Sequence, residues 1–451
     1  FKMASLRGGA TQGSIYDFAP TKKSTAHLYD DPESEPDVNK EQNYEDEDYD
    51  VSDDESMTGD AYSKLVNPKG SVFYEAFFVV MPLFCGYAAL FSMQSQVKHT
   101  MGISDCDAAA SQLFGFAVSF LYLGNLIFRI GHNIFFFFMK PRFRVYLSMI
   151  SMATSMMTLI VVLFITKTNT NIAAIFVAYG LGGLAVGSFE ANILACITPL
   201  GKDTKFWAIL AMPVGINLIT IGGFIALTFT WVAENPGVIH CFVFVFVVIG
   251  ILIFSVRIFR KAHGVGSKFS INEFFLAFTD LSWMKTIYLH CLALMCDMFF
   301  VSLFSPGVIL YIYDARTVHL SWLEIDIQTN WFIAIYNTYF FLGDSLSRKV
   351  FYSTRIYFPP LFLLLSITGM AIGLANLPEI VPICAFFVAF ANGSIYAQTN
   401  RRIDRDVSEK LNLIALSSWL FLGDIGSVVG SNLIQYIAEW FHHRHHIAPS
   451  C

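Results

Sequence analysis

The chain has 451 residues, 55% hydrophobic and only 14% charged, and its mean hydropathy is +0.54. Soluble domains carry about 25% charged residues, so this composition excludes a body whose surface mostly faces water. The net charge of −6 is concentrated in the first seventy residues, where Asp30, Asp31, Glu33, Glu35 and Asp37 precede Glu45 to Asp48, Asp50 and Asp53 to Glu55; the remainder is mildly basic and predicts no nucleic-acid partner.

Residues 1–70 hold too little apolar surface to offset the entropy of ordering, which predicts a disordered acidic tail. They contain no apolar core of signal-peptide length, so the first membrane helix is expected to act as its own insertion signal. From residue 72 onward apolar stretches of about twenty residues recur, each long enough to cross roughly 30 Å of hydrocarbon as a helix. They fall near 72–94, 111–137, 143–166, 172–198, 206–231, 238–259, 286–312, 331–351, 357–377, 380–399 and 411–437. Helix is the expected form because backbone polar groups in lipid pair within their own segment. The chain therefore reads as an all-α membrane protein with about eleven transmembrane helices.

Lys and Arg set the orientation. With the N-terminus in the cytoplasm, the inner connections carry Lys140, Arg142, Arg144, Lys202, Lys205, Arg257, Arg260, Lys261, Lys268, Lys285, Arg348, Lys349, Arg355, Arg401, Arg402, Arg405 and Lys410. The outer side carries Lys98, Lys167, Arg316 and Arg444. The predicted organisation is a cytoplasmic tail (1–70), a six-helix bundle (71–260), a cytoplasmic connection (261–285), a five-helix bundle (286–438) and an extracytoplasmic tail (439–451). The membrane is the plasma membrane or an internal one. In the connection, Phe274, Phe275, Leu276, Phe278, Leu281 and Trp283 fit either a helix lying in the interface or a short helix covering the two bundles.

Two pairs of spans echo each other. Span two has Leu123-Gly124-Asn125 with Arg129 five residues after the glycine, and span eight has Leu342-Gly343-Asp344 with Arg348 at the same offset. Span four has Gly187-Ser188-Phe189-Glu190-Ala191-Asn192, and span ten has Gly393-Ser394-Ile395-Tyr396-Ala397-Gln398. Both pairs lie six spans apart, which predicts two similar units with the last helix missing. This is the 6+5 two-bundle architecture of major facilitator carriers, whose solute site lies between the halves. Gly180, Gly183 and Gly187 in span four, and Gly423, Gly426 and Gly430 in span eleven, predict close helix approach.

A charge at membrane depth costs about 2.5–3.5 kcal/mol on insertion scales and needs a purpose. Arg129, Glu190, Asp297, Asp344 and Asp424 are such charges. Arg129 and its repeat mate Arg348 are expected to pair or gate. Glu190 and Asp297 are expected to face a cavity and meet solute or a coupled proton. Asp344 and Asp424 fit either role. Tyr336, Asn337, Tyr339, Asn392, Tyr396 and Gln398 add hydrogen-bonding and stacking groups, and Pro306-Gly307 in span seven interrupts helical bonding where a gate would bend. Asn392-Gly393-Ser394 matches a glycosylation acceptor but lies within a span. The eight Cys show no zinc or disulfide spacing. The run His442, His443, His445 and His446 fits a polar tail better than a metal site. With no phosphate-cradling Gly loop, zinc helix motif or nucleophile elbow, no cofactor, metal or enzymatic activity is expected.

The second half resembles the equilibrative nucleoside transporters. The residues are Phe304-Ser305-Pro306-Gly307-Val308, the run from Tyr336 to Leu346 (Tyr-Asn-Thr-Tyr-Phe-Phe-Leu-Gly-Asp-Ser-Leu), and Ala389-Phe390-Ala391-Asn392-Gly393. In that family span seven has a Phe-Pro-Gly-like turn, span eight reads Phe-Asn-x-x-Asp-x-x-Gly-Arg-Ser-Leu and span ten Phe-x-Asn-Gly. The family's Asp and Arg of span eight serve nucleoside recognition; here those positions hold Phe340 and Asp344. The resemblance implies an alternating-access carrier for a small polar organic solute, with a nucleoside or nucleobase as the best candidate. The expected solute contacts are Asn337, Phe340, Asp344, Glu190, Asp297, Asn392 and Tyr396. Two other readings stay open: a carrier of the same architecture for an amino acid or organic ion, and a non-transporting receptor or scaffold that recruits partners through the acidic tail. The sequence carries no signal of oligomeric state.

Overall fold

The apolar stretches fold as anticipated, into long helices that satisfy their own backbones. The structure, a computed structural model, describes residues 70–103, 108–166, 172–261, 271–279, 281–304, 317–354, 358–375 and 377–445. Among them the long helices are α1 (Glu75–Ser92), α2 (Ala108–Phe135), α3 (Pro141–Val161), α4 (Ile172–Ile197), α5 (Lys202–Ala226) and α6 (Gly237–Ile253). They continue with α7 (Ser282–Ser302), α8 (Thr329–Ser353), α9 (Pro360–Gly373), α10 (Val381–Asp406) and α11 (Glu409–His445). Proline opens the first turn of α3, α9 and α10, where its missing N–H costs nothing. Nine of the described helices are long and apolar enough to cross a membrane by length and composition. The other two are α9, which has 14 residues, and α8, whose polar face buries Asp344, Ser347 and Arg348. Phe116, Ile165, Val256 and Leu364 are among the large apolar side chains left exposed on the flanks, as lipid-facing positions require.

The packing repeats with a shift of six helices. The most extensive helix pairs are α8 with α10 and α2 with α4, which are each other's repeat mates. Likewise α1–α5 matches α7–α11, α3–α4 matches α9–α10, and α1–α4 matches α7–α10. Between the halves the main contacts are α5 with α8 and α2 with α11, again equivalent under the same shift. A duplicated plan, in which the helices from α7 onward repeat those from α1, accounts for all of these pairings among the described residues.

Several boundaries differ from expectation. Helix α10 runs on to Asp406 and α11 to His445, so the segment expected as a tail from 439 starts as helix. Within the connection, Ile271–Thr279 is helical, packs against α2 and leaves Phe275 and Leu276 exposed. Trp283 Nε1 donates to the Ala277 carbonyl at 2.8 Å and fastens this helix to the start of α7. A hairpin of β1 (Thr317–Leu320) and β2 (Ile325–Gln328) leads into α8, which the apolar-run reading did not anticipate. The Trp322 amide donates to Glu379 at 2.8 Å and ties the hairpin to the α9–α10 connection. Residues 1–69 of the acidic tail expected over 1–70, Pro306, Gly307 and His446 lie outside the described residues.

Candidate functional site

The site begins with glycine. An added Cβ at Gly187 would lie 2.5 Å from the Asn125 carbonyl oxygen, and one at Gly183 would lie 2.6 Å from that of Leu121. Only glycine lets α4 approach α2 this closely. One turn beyond Gly187 this brings Glu190 against Arg129, whose Nη1 donates to Oε2 at 2.7 Å. The repeat does the same in the second bundle. A Cβ at Gly393 would lie 2.5 Å from the Asp344 carbonyl oxygen, and Asp344 is the repeat mate of Asn125. Gly180, expected on the same smooth face, meets nothing within 4 Å.

Across the seam these pieces join into one layer. Arg129 Nε donates to Asp424 Oδ2 of α11 at 2.6 Å. The Tyr396 hydroxyl of α10 donates to Glu190 Oε1, so the two repeat mates meet each other. The Arg348 guanidinium lies over the Tyr396 ring, 4.2 Å from its centroid. Its Nε donates to Asp344 Oδ1 at 2.8 Å and its Nη1 to the Ile209 carbonyl of α5 at 3.3 Å. Trp419 packs on Tyr396 with ring centroids 5.0 Å apart. Arg129, Glu190, Asp344, Arg348 and Tyr396 are all buried. Two guanidinium groups therefore sit with three carboxylates, which leaves a formal excess of one negative charge.

One end of the seam is sealed. Toward the Lys/Arg-rich end, Lys205 Nζ of α5 donates to Asp404 Oδ1 of α10 at 2.6 Å, with Lys205 only 1% exposed. Ser417 of α11 meets His132 Nε2 at 3.2 Å and accepts from Asn133 at 3.4 Å, and the Tyr352 hydroxyl donates to the Lys202 carbonyl at 3.0 Å. On the other side of the layer stand tyrosines. Tyr87 of α1 is half-buried and lies within electrostatic reach of Tyr122, Asp424, Arg129 and Glu190. Tyr122 of α2 is 41% exposed and lies within electrostatic reach of Tyr87 and of the buried Tyr179 of α4. Asn392, one turn from Tyr396 on the same face of α10, is buried, and its Oδ1 has no partner among the described residues.

Of the residues expected at the site, the structure brings together Arg129, Glu190, Tyr396, Arg348 and Asp344, with Asp424 and, one turn away, Asn392. It places others elsewhere. Asp297 is fully buried inside the second bundle, where Ser366 of α9 donates to its Oδ1 at 2.7 Å and Oδ2 has no partner among the described residues. Asn337 donates to the Thr220 carbonyl at 3.1 Å, linking α8 to α5. Phe340 is half-buried against the apolar cluster around Phe304, Phe332 and Tyr336. Sequence reasoning missed Tyr87 and Tyr122, because tyrosine in a span is unremarkable by itself. It read Lys205 as a loop charge, because its partner lies 199 residues away.

No protein-family model matches the chain, and no curated protein sequence matches it. Solved structures do. The human organic anion transporter MFSD10 matches with a TM-score of 0.58 at 12% identity, over 83% of this chain and 94% of that one. The fucose:proton symporter FucP of E. coli matches with a TM-score of 0.56 at 14% identity, over 81% and 92%. A bacterial homologue of the iron transporter ferroportin, in an outward-facing state, matches with a TM-score of 0.55 at 12% identity, over 82% and 95%. The chain thus has the all-α major facilitator fold and is a multi-pass membrane protein.

Proposed function

We propose that the protein is a solute carrier that works by alternating access, and that its solute is a small polar organic molecule of nucleoside or nucleobase type. The observation that carries this reading is the buried charge layer shared by the two bundles. A static seam packs at lower cost with apolar side chains, because burying ion pairs requires desolvating them. A seam that must part and reform gains from contacts that exchange readily for water and solute.

Solute enters from the side away from the Lys/Arg-rich end, stacks on Tyr87 and Tyr122 and hydrogen-bonds Asn392. Opening toward the basic end draws α2 from α11 and α5 from α8. That motion parts Arg129 from Asp424, Tyr396 from Glu190 and Lys205 from Asp404. The layer's excess negative charge favours uptake of a proton with the solute. Asp297, whose side chain has a single hydroxyl partner among the described residues, is least costly in its neutral, protonated form. Glu190 and Asp297 are thus the sites proposed for proton coupling. A second reading, an amino acid or organic ion as solute, is favoured by Asp344: it is held by Arg348 rather than offered to a ribose hydroxyl.

Uptake of labelled uridine, adenine and a set of amino acids into proteoliposomes, with and without an inward proton gradient, tests both readings. The expected result is nucleoside or nucleobase accumulation that rises with the gradient and loses that dependence in a Glu190→Gln, Asp297→Asn double variant. Uptake of amino acids alone would transfer the function to the second reading. Absence of all uptake by folded protein would remove the carrier assignment.

A further inference from the structure

A cavity of about 260 Å³ opens on the flank of the second bundle, where α7 and α10 meet the start of α9. Lys285, Tyr288, Leu289 and His290 of α7, Pro359 ahead of α9, and Arg402 of α10 line it. None of them belongs to the cross-bundle layer, so the inference is independent of the carrier reading.

The cavity has two chemically distinct walls. One is cationic. Lys285 is exposed, and Arg402 forms an ion pair with Asp406 at 2.5 Å, which Arg405 also shares at 2.5 Å. Two arginines thus share one carboxylate, and Lys285 adds a further positive charge to the lining. The N-terminus of α9 opens at Pro359 without a side-chain cap and adds its partial positive charge. His290 is 4% exposed; the Thr399 hydroxyl donates to the Ile395 carbonyl at 2.7 Å, so His290 Nδ1–H donates to Thr399 Oγ1 at 3.1 Å and the ring is a fixed part of the cavity wall. The other wall is apolar, with Tyr288 and Leu289 exposed, and further along the same helices Leu292 of α7 and Leu361 and Leu364 of α9 are exposed too.

A site for a free anion gains nothing from that apolar flank, and a groove for hydrocarbon alone gains nothing from Lys285 and Arg402. Lys285 lies about 5 Å along α7 from its first residue, near headgroup depth at the Lys/Arg-rich end. Basic pockets between membrane helices bind anionic headgroups. The geometry points to a binding site for an anionic phospholipid, its phosphate against Lys285 and Arg402 and an acyl chain along Tyr288, Leu292 and Leu364.

The test uses the full chain purified in neutral detergent, with thermal unfolding and native mass spectrometry in the presence of phosphatidylglycerol, phosphatidylcholine or inorganic phosphate. Phosphatidylglycerol should raise the melting temperature and remain bound as one copy, and the other two should do neither. Lys285→Gln should weaken phosphatidylglycerol binding about fivefold, the effect of one basic group near the surface. A Lys285→Gln, Arg402→Gln double variant should abolish the shift; if it does not fold, the exposed Lys285→Gln change alone decides. Equal effects of the two lipids, or unchanged binding in Lys285→Gln, would overturn the proposal. A shift reproduced by inorganic phosphate would replace the lipid with a free-anion site.

Discussion

In the first bundle Gly187 lets α4 rest on the Asn125 carbonyl of α2, and in the second Gly393 lets α10 rest on the Asp344 carbonyl of α8. The backbone contact is the same, but the arginines that follow are held in different ways. Arg129 takes its partners from two other helices, Glu190 of α4 and Asp424 of α11. Arg348 takes its carboxylate from its own helix, four residues earlier, and rests on the ring of Tyr396. The duplicated scaffold sets the geometry, and the side chains at matched positions set where each guanidinium depends on the opposite bundle. Arg129 draws on the opposite bundle through its ion pair with Asp424 of α11, whereas Arg348 makes its ion pair within its own helix.

The largest effect expected from breaking this comparison is at Arg129. Arg129→Ala leaves two buried carboxylates, Glu190 and Asp424, without their cation, and removal of one partner from a buried pair costs about 3–5 kcal/mol. Arg348→Ala leaves only Asp344 in that position. Thermal melts of the two variants in detergent should place Arg129→Ala lower. If Arg348→Ala melts at the same temperature or below it, the two arginines are equivalent and the contrast fails.

A smaller effect is expected where the halves touch through repeat mates. Tyr396→Phe keeps the ring over Arg348 and against Trp419 and removes only the hydroxyl that Glu190 accepts from. A hydrogen bond to a charged group contributes about 1.5–3 kcal/mol. A double-mutant cycle of Tyr396→Phe with Glu190→Gln isolates the coupling from changes each substitution makes alone. Additive melting shifts would mean that the hydroxyl and the carboxylate do not stabilise one another.

Much of the fold was legible in the chain. Uninterrupted apolar runs have to be helices in lipid, and the paired motifs announced the six-helix shift before any packing was visible. The members of the charge layer were legible one at a time, because each ionised group at membrane depth needs a purpose. Their pairing was not. Arg129 and Asp424 are 295 residues apart, and a spacing of that kind carries no local periodicity to read. Asp297 looked the same as Glu190 in sequence, since both are single acids in apolar helices, yet one lies at the seam and the other within a bundle between α7 and α9. The hairpin before α8 left a weak signal in the β-branched residues Thr317, Val318, Ile325 and Ile327, which a search for long apolar runs passes over.

The smallest expected effects test the shared part of the plan. Gly187→Ala and Gly393→Ala each place a methyl group 2.5 Å from a backbone carbonyl oxygen of the facing helix, so the helices must separate. Overpacking of this kind costs about 1–3 kcal/mol, and Gly393→Ala should lose more stability than Gly187→Ala, because its methyl group also meets the Ser347 hydroxyl and, at 2.6 Å, Asp344 Oδ1. Gly180→Ala is the control: nothing lies within 4 Å of the added methyl, and alanine is favoured over glycine in a helix by up to about 1 kcal/mol. Its melting temperature should be unchanged or slightly raised. A loss in Gly180→Ala comparable to the other two would show that glycine serves α4 by flexibility rather than by close approach, and the matched carbonyl contacts would no longer explain how α2 and α4, and α8 and α10, pack.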